Sequence, residues 1–151
     1  MKKIMFVCTG NICRSAMAHW YMQYKLNSLN SNDILVSSCG TNAMTGDRST
    51  NNAICAMKEY NVDLENHKAT NIQDIDIENY DLILCMTTEH KEIVKYFYPK
   101  LSEKVYTLKE YVDNNIEYKD IDDPWGLDLR VYQSCAKEIV QYVDKLIAKI
   151  K

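Results

Sequence analysis

Strands that alternate with helices along the whole chain predict an α/β fold. The expected architecture is one domain with a four-stranded parallel sheet and helices on both faces. A ligand-binding loop should follow the first strand. Three observations carry this. Four short apolar or β-branched runs occur, at residues 4–7 (IMFV), 34–37 (ILVS), 80–86 (YDLILCM) and 105–108 (VYTL). Helix-like apolar spacing follows most of them. The 151 residues contain no linker and no repeat, so one domain spanning 1–151 is expected. Parallel order places helices on both sheet faces and ligands at the carboxyl ends of the strands.

Each element has its own signal. The first run ends at Thr9-Gly10-Asn11, a loop, and a helix starts near Ser15. Met17, Trp20, Tyr21, Tyr24 and Leu26 form its apolar stripe, and the polar residues 27–33 end it. Residues 40–51 are rich in Gly, Ser, Thr and Asn and read as irregular. A second helix over 52–60 places Ile54 and Met57 in register. Thr87-Thr88-Glu89 opens a third, with Ile93, Val94 and Phe97 on one face and Pro99 as its stop. Residues 113–123 are polar and acidic, and read as a mobile, solvated loop ending at Pro124. The last helix carries Val131, Cys135, Ile139, Val143, Leu146 and Ile150 at three- or four-residue spacing.

Composition excludes several function classes. The formal net charge is −3, from 18 Lys+Arg against 21 Asp+Glu, so the basic excess of a nucleic-acid binder is missing. The longest early apolar run, residues 4–8, is too short for a leader or a membrane span, which points to the cytoplasm. In that compartment the six cysteines stay reduced, most of them as small buried hydrophobes. No Cys-x-x-Cys pair is present and His19, His67 and His90 are isolated, so neither a metal nor another cofactor is expected.

The chemistry concentrates in Cys8-Thr9-Gly10-Asn11-Ile12-Cys13-Arg14-Ser15, between a strand and a helix start. Unpaired backbone N–H groups at a helix N-terminus and in a tight loop attract an oxyanion. Gly10 offers conformational freedom for the turn. Arg14 adds a planar, bidentate donor for two phosphate oxygens. Cys8, at the floor of this cradle, lies where positive surroundings favour a thiolate nucleophile. Ser15 can donate a hydrogen bond to its sulfur. The group expelled by thiolate attack needs a proton, and Asp122-Asp123-Pro124-Trp125-Gly126 supplies a candidate acid with an aromatic wall.

The N-terminal CTGNICRS together with DPW about 110 residues later resembles the low-molecular-weight protein tyrosine phosphatase family, over essentially the whole chain. The resemblance implies a cysteinyl-phosphate intermediate formed without metal or cofactor. Phosphotyrosine-bearing proteins would be the substrates and inorganic phosphate the product. It implies Cys8 as nucleophile, Arg14 as phosphate-binding arginine and Asp123 as general acid and later base. Thr9, Gly10, Asn11, Ile12, Cys13, Ser15 and Trp125 would form the substrate site. Ser15 would hydrogen-bond the thiolate, Asn11 would hold the strained cradle, and His67 would support Asn11. Cys13 would trap an oxidised Cys8 as a disulfide.

Departures from the family pattern concern the substrate wall. Ala16 replaces a common proline, and Ala43 and Met44 stand where an aromatic is usual, leaving Trp125 as the aromatic wall. Trp125-Gly126 also replaces a tyrosine pair. Residues 105–112 (VYTLKEYV) and the Asp-Pro-aromatic-Gly run resemble the bacterial arginine-phosphatase branch. Ile12 is the tyrosine-phosphatase residue at a position where that branch carries threonine. A thioredoxin-coupled arsenate reductase would need two further redox cysteines close together, and only Cys85 and the distant Cys135 are candidates. A phosphate-binding module without turnover should have lost Cys8 or Asp123, and both are present.

Overall fold

A computed structural model describes residues 1–151. The chain forms β1 (Lys2–Cys8), α1 (Arg14–Ser28), β2 (Ile34–Gly40), α2 (Asn51–Lys58), β3 (Leu82–Cys85), α3 (Thr88–Phe97), β4 (Val105–Thr107), α4 (Leu108–Val112) and α5 (Leu129–Ile150). Short 3₁₀ turns lie before β3 and before β4. The sheet is wholly parallel, in the order β2-β1-β3-β4. The strand order reverses at β1, so the crevice outside its carboxyl end is the ligand position of an open α/β sheet.

β1 is central and buried on both faces, which explains its unbroken apolar run. Ile4, Phe6 and Cys8 point into the larger core, with Met17, Leu26, Met57, Ile139 and Val143 from α1, α2 and α5. Met5 and Val7 point into a smaller core with Ile83, Cys85, Val94 and Leu101, under α3. The alternation is the two-residue period of a strand with helices on each side. No helix is long and apolar enough to cross a membrane.

Several boundaries differ from expectation. β2 continues past Ser37 to Gly40, because its ladder with β1 runs until Cys8 meets Gly40. Leu108 is not strand: it opens α4, where Thr107 and Glu110 form a capping box that sequence reading overlooked. Helical spacing puts Tyr24 and Phe97 on apolar faces, yet both are exposed; Ala18 and Met22 take the buried positions on α1. Residues 113–128 do lack regular structure, but the loop is not free. Ile121 is completely buried, and its N–H donates to the Met86 carbonyl at 2.8 Å.

Gly40 is required by close approach. A Cβ there would lie 2.4 Å from the Thr9 carbonyl oxygen, 2.9 Å from Ala43 Cβ and 3.0 Å from the Asn11 nitrogen. Past it, Thr41 and Asn42 donate to the carbonyls of Cys8 and Thr9, both at 2.9 Å, so β2 props the loop that leaves β1. Behind that loop, His19 stacks on Trp20 with ring centroids 4.2 Å apart, and Trp20 Nε1 donates to His67 Nδ1 at 2.8 Å. Burial lowers His19 to about 3, and it also lowers His67.

Two outcomes follow from this packing. Gly40→Ala should destabilise the fold by about 1–3 kcal/mol, the usual cost of overpacking. Gly10→Ala is the control, since its Cβ would meet only the Ile12 side chain, at 3.5 Å from Cγ1 and 3.8 Å from Cδ1; thermal melts of both compare the positions. The buried histidines also set a pH dependence. Their folded-state values lie below the ordinary value of about 6.5, so the unfolded chain binds more protons below that pH. Stability is full above pH 6.5 and should fall as pH drops toward about 3, where folded His19 titrates. Between pH 7 and 5 Tm should decrease, and His19→Gln should flatten the slope.

Candidate active site

The loop from Cys8 to Arg14 leaves the end of β1 and enters α1 at the crevice. Cys8 is almost fully buried at its floor. Two donors face its sulfur: the Asn11 N–H at 3.3 Å and the Ser15 hydroxyl at 2.8 Å. The proton order follows from the neighbours. The Thr70 N–H donates to Asn11 Oδ1 at 2.9 Å, which orients the amide so that Nδ2 donates to Ser15 Oγ at 2.8 Å. Ser15 then has its own proton for Cys8, since the alternative acceptor, the Cys39 carbonyl, lies at 3.5 Å. The sulfur is thus presented as an acceptor.

Asn11 holds the turn with φ 56°, in the left-handed region. Gly10 does not have positive φ, so the conformational freedom assigned to it is used by Asn11 instead. Gly10 serves as open space over which the Ile12 side chain leans. Asn tolerates this region better than most residues. His67 Nε2 lies 2.8 Å from the Asn11 carbonyl oxygen. Because Trp20 can only donate, His67 Nδ1 accepts, and Nε2 carries the proton that Asn11 O receives. The expected support of Asn11 by His67 is therefore present, through the main chain.

Around the crevice, a cleft of about 450 Å³ is lined by the cradle residues Cys8, Thr9, Gly10, Ile12, Cys13 and Arg14. Asp123 and Trp125 close it from the loop before α5, and Asn42, Met44 and Asp47 from the loop after β2. Asn11 and Ser15, expected among the substrate contacts, are completely buried and do not line the cleft. They stand behind the loop and act on Cys8 and on the turn. Of the paired carboxylates, Asp123 faces the cleft, while Asp122 accepts from the Tyr118 hydroxyl. Trp125 is 64% exposed, with its ring free for contact.

Arg14 joins the cradle to the loop before α5. It is buried, donates from Nη1 to the Ile121 carbonyl at 2.9 Å, and places Nη2 3.5 Å from Asp123 Oδ2. Cys13 lies 3.4 Å from the Tyr132 hydroxyl and 3.7 Å from Thr50 Oγ1, and burial pushes its thiol up. Cys85 is fully buried on the opposite sheet face, so Cys8 and Cys13 are the thiols that line the cleft.

Sequence reading overlooked His90, Tyr132, Asn42 and Asp47. His90 is buried in the first turn of α3, with Nε2 2.8 Å from Thr9 Oγ1 and Nδ1 2.9 Å from Thr87 Oγ1. Burial, with the Arg14 charge nearby, lowers it to about 4. A lone histidine 81 residues from Thr9 gives no sequence signal for this pairing. Asp47 had a weak signal as a charged residue in an irregular loop.

Known proteins place this geometry. A family described as low molecular weight phosphotyrosine protein phosphatase matches residues 3–151. A protein-arginine-phosphatase of Bacillus subtilis is 34% identical over 150 residues, covering 98% of this chain and 96% of that protein. The low molecular weight protein-tyrosine-phosphatase PtpB of Staphylococcus epidermidis is 34% identical over 145 residues, covering 95% and 96%. The crystal structure of a low molecular weight protein tyrosine phosphatase from T. tengcongensis superposes with a TM-score of 0.91 at 36% identity, covering 99% of both chains. With a cysteine-floored anion loop at the end of its first strand, the chain belongs to the low molecular weight phosphotyrosine protein phosphatase family, a family of phosphoric monoester hydrolases.

Proposed function

We propose that the chain, as one catalytic domain over residues 1–151, hydrolyses phosphotyrosine in proteins through a cysteinyl-phosphate intermediate. One observation carries the chemistry. The Cys8 sulfur receives the Ser15 and Asn11 donors inside a cleft that Arg14 and Asp123 also line. The Cys8 thiolate attacks phosphorus, and the ester P–O bond breaks. Asp123 in its acid form gives its proton to the departing phenolate oxygen. Asp123, now a carboxylate, takes a proton from water as that water attacks the cysteinyl phosphate. The S–P bond breaks, and inorganic phosphate leaves. The loop N–H groups and Arg14 stabilise the charge of the phosphoryl oxygens throughout. Ser15 donates to the sulfur as it departs.

The rim supports the choice of tyrosine. Ile12 lines the cleft with an apolar branch, and Trp125 exposes an indole face, so both can pack on a phenyl ring. The second reading, protein arginine phosphatase, is favoured by Asp47, whose carboxylate lines the same cleft and could accept from a guanidinium. It also has the Bacillus subtilis relative. A relay from the cleft through Cys85, as arsenate reduction would use, has no support in the placement of that buried thiol. We place the enzyme in the cytoplasm, because the nucleophile must stay reduced. Phosphoproteins are its partners; a charge balance of −3 gives no support for nucleic acid.

Two experiments test the reading. Asp123→Asn should lower kcat/KM on phenyl phosphate by about 10²–10⁴, the usual worth of a general acid. Its effect on para-nitrophenyl phosphate, whose leaving group needs no proton, should be much smaller. A larger defect from Asp122→Asn would move the assignment to the other carboxylate. For the substrate, phosphotyrosine peptides should exceed phosphoarginine peptides in kcat/KM by about one to two orders of magnitude. That follows because a guanidinium N–H left unpaired beside Ile12 costs about 1–3 kcal/mol. Ile12→Thr should narrow or reverse the ratio. A wild-type preference for phosphoarginine would establish the second reading.

A further inference from the structure

The acid must sit at a fixed height above the sulfur, yet residues 113–128 have no regular structure to hold it. The loop is tied down just before Asp123. The main chain of Ile121 is bonded on both sides, its N–H to the Met86 carbonyl at 2.8 Å and its carbonyl to Arg14 Nη1 at 2.9 Å. Two main-chain bonds on one residue define an axis, and the contacts that oppose rotation about it at Asp123 are made by its own carboxylate, 3.5 Å from Arg14 Nη2 and accepting from the Trp125 N–H at 3.0 Å. Asp122 does not stop that rotation. Its carboxylate accepts from Tyr118 of the same loop, and its carbonyl has only the Cys135 thiol at 3.9 Å.

Asp120 lies off that axis. Its Oδ1 accepts from the Thr88 N–H at 2.7 Å and from the Thr88 hydroxyl at 3.0 Å. Its carbonyl accepts from Lys109 Nζ at 3.2 Å. Thr88 is the first residue of α3, where an N–H is unpaired within the helix and carries partial positive charge. A carboxylate is therefore the natural partner. The same turn of α3 also reaches the cradle, through His90 and Thr9. One rigid helix end thus touches both halves of the catalytic apparatus.

We propose that Asp120 is a positioning residue for the proton transfer: by locking the acid loop to the first turn of α3, it holds Asp123 over Cys8. The proposal rests on the reading of Asp123 as general acid. A misplacement of the acid slows only the step that needs its proton. Leaving-group dependence is therefore the signature, and a merely structural role would not produce it.

The test is kcat/KM on phenyl phosphate and on para-nitrophenyl phosphate, for Asp120→Ala and Asp120→Asn, each in wild-type and Asp123→Asn backgrounds. Asp120→Ala should lower the phenyl phosphate value by about 10-fold or more. The para-nitrophenyl phosphate value should stay within about 2-fold, and Asp120→Asn, which keeps an acceptor oxygen, should recover most of the loss. In the Asp123→Asn background Asp120→Ala should cost nothing further, because no acid remains to be positioned. Equal losses on the two substrates would overturn the proposal. So would a phenyl phosphate loss that persists in full without the acid. If Asp123→Asn alone shows no leaving-group dependence, the general-acid reading falls first, and that variant by itself reveals it. Should Asp120→Ala fail to fold, Thr88→Val, which removes the 3.0 Å hydroxyl donor and keeps the N–H, should give a smaller phenyl phosphate loss that again vanishes in the Asp123→Asn background, and an equal loss on both substrates would overturn the proposal.

Discussion

Asn11 is the residue on which the site depends. It is completely buried, and its backbone takes a left-handed conformation that few residues adopt without strain. Every polar group it has is engaged. Its N–H faces Cys8 Sγ, its carbonyl receives His67, its Oδ1 receives Thr70 and its Nδ2 donates to Ser15. An unpaired buried polar group costs about 1–3 kcal/mol, so the four partners together over-determine the turn. Without that turn the following N–H groups would not converge, and Cys8 would be an ordinary strand-end thiol.

The network has a direction as well as a shape. Trp20 can only donate, which makes His67 a donor to the Asn11 main chain. The Thr70 main-chain N–H can only donate, which makes the Asn11 amide a donor to Ser15. Each step leaves one arrangement of protons, and both lines end on the loop that begins at Cys8. Buried networks of this kind are strong when fully satisfied. The only orphaned buried side-chain oxygen is Ser49 Oγ, which has no place in this chain of bonds. His67 takes part as a neutral ring, because its Nδ1 accepts from Trp20, and burial also lowers its pKa.

Where the sequence was legible, the signal was local. β1 reads as a strand because its residues are apolar on both faces, and α5 reads as a helix because Cys135, Ile139, Val143 and Leu146 recur along one side. The cradle reads from eight consecutive residues, since cysteine, turn, arginine and helix start all lie within them. What stayed hidden involves distant partners. Gly40 looks like loop punctuation until the Thr9 carbonyl is found 2.4 Å from its would-be Cβ. His90 meets Thr9 across 81 residues, and Tyr132 meets Cys13 across 119. Gly10 drew the turn assignment because glycine is the default bearer of positive φ, but the buried partners made Asn11 the better one.

The rim of the cleft obeys different constraints from its floor. Met44 and Trp125 are exposed, and the Asp47 side chain has no partner in the fold. These residues can change without disturbing the bonds of Asn11, Ser15 or Arg14. The floor, by contrast, is a closed set of contacts in which each group satisfies another. On the proposed function, such a division lets one cradle serve phosphate esters as well as phosphoramidates, with the phosphoryl group held from below and the rest judged from above. Relatives of about one-third identity carry the names of tyrosine and of arginine phosphatases, as this division allows. In this chain Ile12 belongs to both layers: its carbonyl accepts from the Thr50 N–H at 3.2 Å, and its side chain leans over Gly10 into the cleft. A change of that side chain leaves the main-chain bond intact, so substrate choice can shift at Ile12 while the chemistry at Cys8 continues unaltered.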